Sequence, residues 1–320
     1  MTKTELIKFI SDNINDKDVL KEIENIVWKS ELEIICEQMY INKDLPTKSK
    51  KALTNFFVHH KTDIADKKML IEAIKEGMIT TIKEGSYNNI SGLVNSKFKQ
   101  LTNTTLFEDL ISLVFSLTDS KDSQGATGTG KGEVLLALLG KNGNLPSKSD
   151  VEIAGFGIEV KASNGEIAGF KKVTPHDTKK YLDKHGISSN TVPVNFKELC
   201  SLMVKTNEKI AKSFLEDYFC DRVTEVKFKP AIKEGIKNVK FGSSDKELQR
   251  TLLDCVGTEI YAAYKKSYGF DFILCFKDSN NPNTKLAIAK NNSDFLKNIK
   301  VNGMNMTNGG RPAPLTVNVK

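Results

Sequence analysis

Four residues in one short stretch carry side chains suited together to phosphate-ester chemistry: Glu133, Asp150, Glu159 and Lys161. They stand in "GKGEVLLALLGKNGNLPSKSDVEIAGFGIEVKAS", residues 130–163. Glu159 and Lys161 are two apart, and residues i and i+2 of a strand project from one face. A hairpin turning at Gly155-Phe156-Gly157 brings Asp150 close to Glu159. Two carboxylates on a shared face offer hard oxygen ligands to Mg²⁺, which polarises a phosphodiester and activates a water. The neighbouring lysine orients that water or neutralises the developing charge. Each residue taken singly has a plainer reading: a helix-terminal acid for Glu133, favoured by the macrodipole, and an ion pair on a half-exposed strand for Glu159 and Lys161.

The elements that must position these residues are legible nearby. Val134, Leu135, Leu136, Leu138 and Leu139 cover almost the whole circumference of a helix, which predicts a buried helix starting near Lys131. An acid such as Glu133 on a buried helix needs a compensating partner, and a metal would supply one. The polar loop "KNGNLPSKSD" follows, then two short alternating segments, "VEIAG" and "GIEVKAS", around glycines, which read as a hairpin.

A competing reading starts at "GATGTGK", residues 125–131, whose Gly125, Gly130 and Lys131 have the spacing of a phosphate-binding loop. That would make the protein a nucleotide hydrolase. The residue that should hold magnesium through a hydroxyl is Gly132, and the preceding "TDSKDSQ" is too polar to end a buried strand. The glycines read better as the entry to the helix bearing Glu133.

The order helix-Glu, loop, Asp, hairpin, Glu-x-Lys resembles the PD-(D/E)XK nuclease superfamily, and its layout is most similar to the branch containing the mismatch-repair nicking endonuclease MutH. The likeness covers residues 120–165. It implies a restriction-endonuclease-like α/β fold with a mixed-sheet core and an Mg²⁺-dependent endodeoxyribonuclease activity, Mn²⁺ being able to substitute. It puts Asp150 and Glu159 as metal ligands, Lys161 as the catalytic lysine, and Glu133 as the helix acid and a further ligand. Asp150 follows Ser149 where the family pattern has proline, and Glu152, on the same strand face, is an alternative ligand.

Around this stretch the chain divides in texture. Apolar residues recur at helical spacing up to about residue 118, which predicts an all-helical N-terminal region (1–118) for DNA or partner recognition, ahead of a catalytic domain (119–320). Its basic segment "KSKKALTNFFVHHK" (48–61) reads as a helix able to lie on DNA or to face solvent. Later, residues 195–220 and 244–264 read as helices, and "FDFILCF", "KLAIA" and "LTVNVK" as strands. The lysine-rich stretch 164–190, read as a loop, offers Lys171, Lys172, Lys179 and Lys180 to backbone phosphates, and Arg311 is a further candidate for bidentate contact. His176, in "PHD", reads as a turn residue without a catalytic role.

Composition sets the outer bounds. The 320 residues are 39% hydrophobic, enough for a core, and a net charge of +7 spread over many lysines permits a nucleic-acid partner. Five scattered cysteines without a CxxC pair argue against a disulfide framework or zinc knuckle and suit a reducing, cytoplasmic setting. No apolar run approaches the ~20 residues of a membrane span. The expectation is a DNA endonuclease, with a homodimer compatible; a non-catalytic DNA-binding protein on the same fold is the remaining alternative.

Overall fold

The structure, a computed structural model, describes residues 8, 12, 17–117, 130–146, 149–278, 280, 281, 283–303 and 314–320. In chain order its helices are α1 (Lys17–Tyr40), α2 (Thr47–His59), α3 (Ile64–Glu76), α4 (Thr105–Ser116), α5 (Lys131–Leu139), α6 (Pro175–Lys184), α7 (Phe196–Val204), α8 (Glu208–Arg222), α9 (Lys229–Lys237), α10 (Asp245–Tyr268) and α11 (Asn292–Asn298). The strands are β1 (Gly85–Tyr87), β2 (Val151–Ile153), β3 (Phe156–Lys161), β4 (Gly165–Ala168), β5 (Phe272–Phe276), β6 (Leu286–Ala289), β7 (Ile299–Gly303) and β8 (Leu315–Val319). The fold is mixed α/β. No helix among the described residues is long and apolar enough to cross a membrane.

The chain forms two compact units, residues 1–82, 90–156 and 280–282 in the first and residues 83–89, 157–279 and 283–320 in the second. The expected boundary at residues 118 and 119 lies outside the described residues.

The first unit holds α1 to α5 and β2. The basic segment forms helix α2 as its periodicity predicts, burying Leu53, Phe57 and Val58 while Lys48 and Lys51 stay exposed and Lys50 is half-buried. In α5 every side chain from Val134 to Leu139 is buried, in line with an apolar surface all round the helix. Its C-terminal carbonyls meet Lys43, which is buried and donates from Nζ to the Gly140 carbonyl at 2.7 Å. The following turn is close-packed: a Cβ on Gly143 would stand 2.1 Å from the Ala137 carbonyl oxygen.

In the second unit β1, β6, β5 and β3 run side by side in that order. β1 and β5 pair antiparallel with β6, and β3 pairs parallel with β5. β4, β8 and β7 form a separate antiparallel sheet. Helix α10 packs on α7, α9 and α11 and reaches β4 and β7. It starts at Ser244, whose side chain accepts the Glu247 N–H, and stops at Gly269, whose φ of 73° a residue with a Cβ adopts at a cost. The core gathers Leu248, Leu252, Val256, Ile260 and Tyr261 of α10 with Ile273, Cys275, Ala287 and Ala289 of the mixed sheet.

Three expectations are corrected. β1 is a strand inside the region read as all-helical, because its partner Leu286–Ala289 lies some two hundred residues away, beyond any local pattern. The stretch 164–190 holds β4 and α6; Thr174 and Asp177 form a capping box, so "PHD" opens a helix. The helical stretch 195–220 breaks into α7 and α8, since Asn207 caps α8 by accepting the Lys209 and Ile210 N–H groups.

Candidate functional site

Glu159 and Lys161 of β3 lie together on one face of their strand, as their spacing predicts. The register is set at the strand's start. Asp271 donates its N–H to the Gly157 carbonyl at 2.7 Å, and the Gly157 N–H donates to Asp271 Oδ2 at 2.9 Å. Glu159 then stands opposite Ile273, and Lys161 opposite Cys275. Across β6 that face continues with Ala289 and Ala287, small residues beneath the aromatic side of α10.

The pair is tight and poorly hydrated. Lys161 Nζ lies 2.6 Å from Glu159 Oε1, and the two side chains are 16% and 7% exposed. Tyr264 of α10 donates its hydroxyl to the same Oε1, and the lysine ammonium sits 5.2 Å from the Tyr264 ring centroid. A buried carboxylate is stable only when its charge is paired and hydrogen-bonded, and Glu159 meets both conditions. Behind the lysine stem the chain has no room for another side chain: a Cβ on Gly165 would come 2.8 Å from Lys161 Cβ. Burial pushes the Cys275 thiol up to about 12 despite the nearby Lys161, so it is no thiolate nucleophile at neutral pH.

Asp150 and Glu133 belong to the first unit. Asp150 is half-buried just ahead of β2. Glu152 is half-buried within β2, flanked by the buried Val151 and Ile153, and its backbone forms an antiparallel bridge with Asn144. Glu133 occupies the first turn of α5 and is half-buried, and a Cβ on Gly130 would come 2.9 Å from its Oε1. That carboxylate lies against the positive end of the helix, the place the macrodipole favours. Of the phosphate-loop pattern, Gly130 and Lys131 form the N-cap and first position of α5, and residues 125–129 lie outside the described residues.

The lysines expected to meet phosphate separate into two groups. Lys171, Lys172 and Lys180 line a pocket of about 410 Å³ with Lys184 and Arg222. Lys179 instead pairs with Asp183 one turn on, at 2.8 Å, on an exposed face of α6. Lys184 also reaches Asp217 at 2.6 Å, and that hydrogen bond holds the carboxylate below its ordinary range. His185 meets the same carboxylate at 3.1 Å. His176 stands exposed in the first turn of α6, and Arg311 lies outside the described residues.

Tyr264 and Arg222 are the residues that sequence reasoning missed. Tyr264 is separated from Glu159 by 105 positions, and no local pattern links them. Arg222 carried a faint signal as one of three arginines in a lysine-rich chain.

No family model matches the chain, and no curated protein and no solved structure is significantly similar to it.

Proposed function

We propose that the protein is an Mg²⁺-dependent DNA endonuclease with a restriction-endonuclease-like core. The observation that carries this reading is the buried Glu159–Lys161 pair on one face of β3, held by Tyr264. A carboxylate and an ammonium two residues apart on a mixed sheet are the groups that the Glu-x-Lys motif requires. Asp150 and Glu133, in the other unit, enter the proposal from the sequence resemblance alone.

Among the described residues no three His, Cys, Asp or Glu side chains gather into a metal-ligating group. Mg²⁺ needs no such group, since it is commonly held by one or two carboxylates together with waters and substrate phosphates. Glu159, with its hard oxygens in a partly dry setting, fits that role, and Asp150 is the expected second ligand. Held there, Mg²⁺ or Mn²⁺ would supply Lewis-acid chemistry, polarising a phosphodiester and making water a better nucleophile.

The chain's own residues do the rest. Tyr264 fixes the Glu159 carboxylate by a hydrogen bond to Oε1. Lys161, held against that carboxylate, neutralises charge appearing on a phosphate oxygen, an effect strengthened where water is scarce. The net charge of +7 attracts the DNA backbone.

The test is incubation of the purified protein with duplex, branched and single-stranded DNA in Mg²⁺, Mn²⁺ or EDTA. Metal-dependent nicking or cutting is expected. DNA binding without a divalent ion and without cleavage would favour a non-catalytic DNA-binding protein. Retention of ATP or GTP in equilibrium dialysis would favour the nucleotide hydrolase.

A further inference from the structure

The pocket between α6 and the end of α8 contains a buried charge that no acid among the described residues pairs with. Arg222 is 2% exposed, and neither Nη1 nor Nη2 makes a well-formed hydrogen bond among the described residues, the neighbouring Tyr218 hydroxyl being itself unpaired. Only Nε is used, donating to the Lys171 carbonyl at 3.0 Å. An uncompensated buried cation is among the most costly arrangements a fold can hold, and burial duly pulls this guanidinium below its ordinary pKa. Arginine keeps its charge regardless.

The side chain is also held in place. The Lys171 N–H donates to the Arg222 carbonyl at 2.7 Å, so the two residues clasp each other through backbone and side chain. The Tyr218 ring lies 4.7 Å from the guanidinium carbon, and Phe219 flanks it at 5.9 Å. Phe170 and Val223 bridge the same two segments. Around this fixed fork the wall is basic: Lys171, Lys172, Lys180 and Lys184 line the pocket with it. The two acids present are otherwise engaged. Asp177 accepts from the Thr174 N–H and hydroxyl, and Asp221 accepts from the Tyr181 hydroxyl at 3.2 Å.

We infer that this pocket binds a phosphate group, with Arg222 as the bidentate donor on its floor and Lys171, Lys172 and Lys180 at its rim. A guanidinium fork matches two oxygens of one phosphate, and only an anion both satisfies the terminal N–H groups and cancels the buried charge. A water would meet the first need and not the second. The site stands apart from the Glu159–Lys161 pair and does not rest on the nuclease reading. The phosphate is that of a nucleic-acid backbone or of a free phosphate; both present the same oxyanion.

The experiment is calorimetric titration of the full-length protein with inorganic phosphate against chloride at equal ionic strength. It is run on the wild type, on Arg222→Met and on the rim variant Lys172→Gln/Lys180→Gln. In parallel, binding of a short duplex DNA is measured in EDTA. Arg222→Met keeps the stem's packing, and the rim variant changes only exposed lysines, so folding is preserved in at least one of them. Saturable phosphate binding that weakens at least tenfold in the folded variants supports the site. A matching loss of DNA affinity, with inorganic phosphate competing, assigns it to nucleic-acid phosphate, and unchanged DNA affinity assigns it to a free phosphate. No saturable phosphate binding by the wild type, or equal binding by every variant, overturns the inference.

Discussion

Lys43 offers a quantitative test of how the first unit is held together. Its ammonium is 3% exposed and donates to the Gly140 carbonyl at 2.7 Å, at the C-terminal end of α5. Burial pulls its pKa from 10.5 to about 8. The unfolded chain therefore binds this proton more tightly than the folded one. Stability from this group is lowest below pH 8 and rises as pH climbs from 8 towards 10.5. At 1.36 kcal/mol per pH unit the full effect is about 3 kcal/mol, and most of it is regained by pH 10. The carbonyl acceptors and the helix dipole oppose the burial and set that figure as an upper value. Lys43→Met removes the titrating group, while Gly140 O still accepts the Gly143 N–H at 3.1 Å. Urea unfolding of both proteins at pH 7 and pH 10 isolates the group. The wild type should gain about 2 kcal/mol over Lys43→Met between the two pH values. A difference that does not change with pH would show that Lys43 is not desolvated as described.

Other outcomes follow from particular contacts. Gly143→Ala forces a Cβ to within 2.1 Å of the Ala137 carbonyl oxygen, whereas Gly155→Ala meets open space and bears only the strain of a φ of 84°. Thermal unfolding should show the larger loss for Gly143→Ala, about 3 kcal/mol against about 1; the reverse order would contradict the packing. Tyr264→Phe deletes the hydroxyl that donates to buried Glu159, and a loss of about 2 kcal/mol in urea unfolding is expected. An unchanged midpoint would mean that the hydrogen bond contributes nothing. Burial raises the thiols of Cys36, Cys200 and Cys275 to about 12 and that of Cys220 to about 11. Half-buried Cys255 should be the first alkylated in the native protein at pH 7.5, and equally fast labelling of Cys275 would refute that order.

Much of the local structure was readable because period and caps decide it. The all-round apolar surface of Val134–Leu139 identified a buried helix, and the i, i+2 spacing of Glu159 and Lys161 placed them on one strand face. The strand segments 270–276, 285–289 and 315–320 were apolar or alternating runs, and each contains a strand. What escaped depends on distant pairing. β1 exists through β6, Tyr264 meets Glu159 across a long connection, and Arg222 is buried by a segment fifty residues before it. Lysine spacing along 171–184 also hid a difference of environment, since Lys179 turns to Asp183 while Lys180 lines the pocket.

The most direct test of the proposed activity compares the wild type with Lys161→Met on supercoiled circular DNA, in Mg²⁺ and in EDTA. The methionine keeps the stem packing behind Gly165 and removes only the ammonium beside Glu159. The wild type is expected to nick or linearise the DNA only with the metal. The variant, folded by circular dichroism, is expected to cleave about a hundredfold more slowly, the scale of losing one preorganised charge-stabilising group. Cleavage at the wild-type rate by Lys161→Met, or no metal-dependent cleavage by the wild type, would contradict a nuclease site at Glu159 and Lys161.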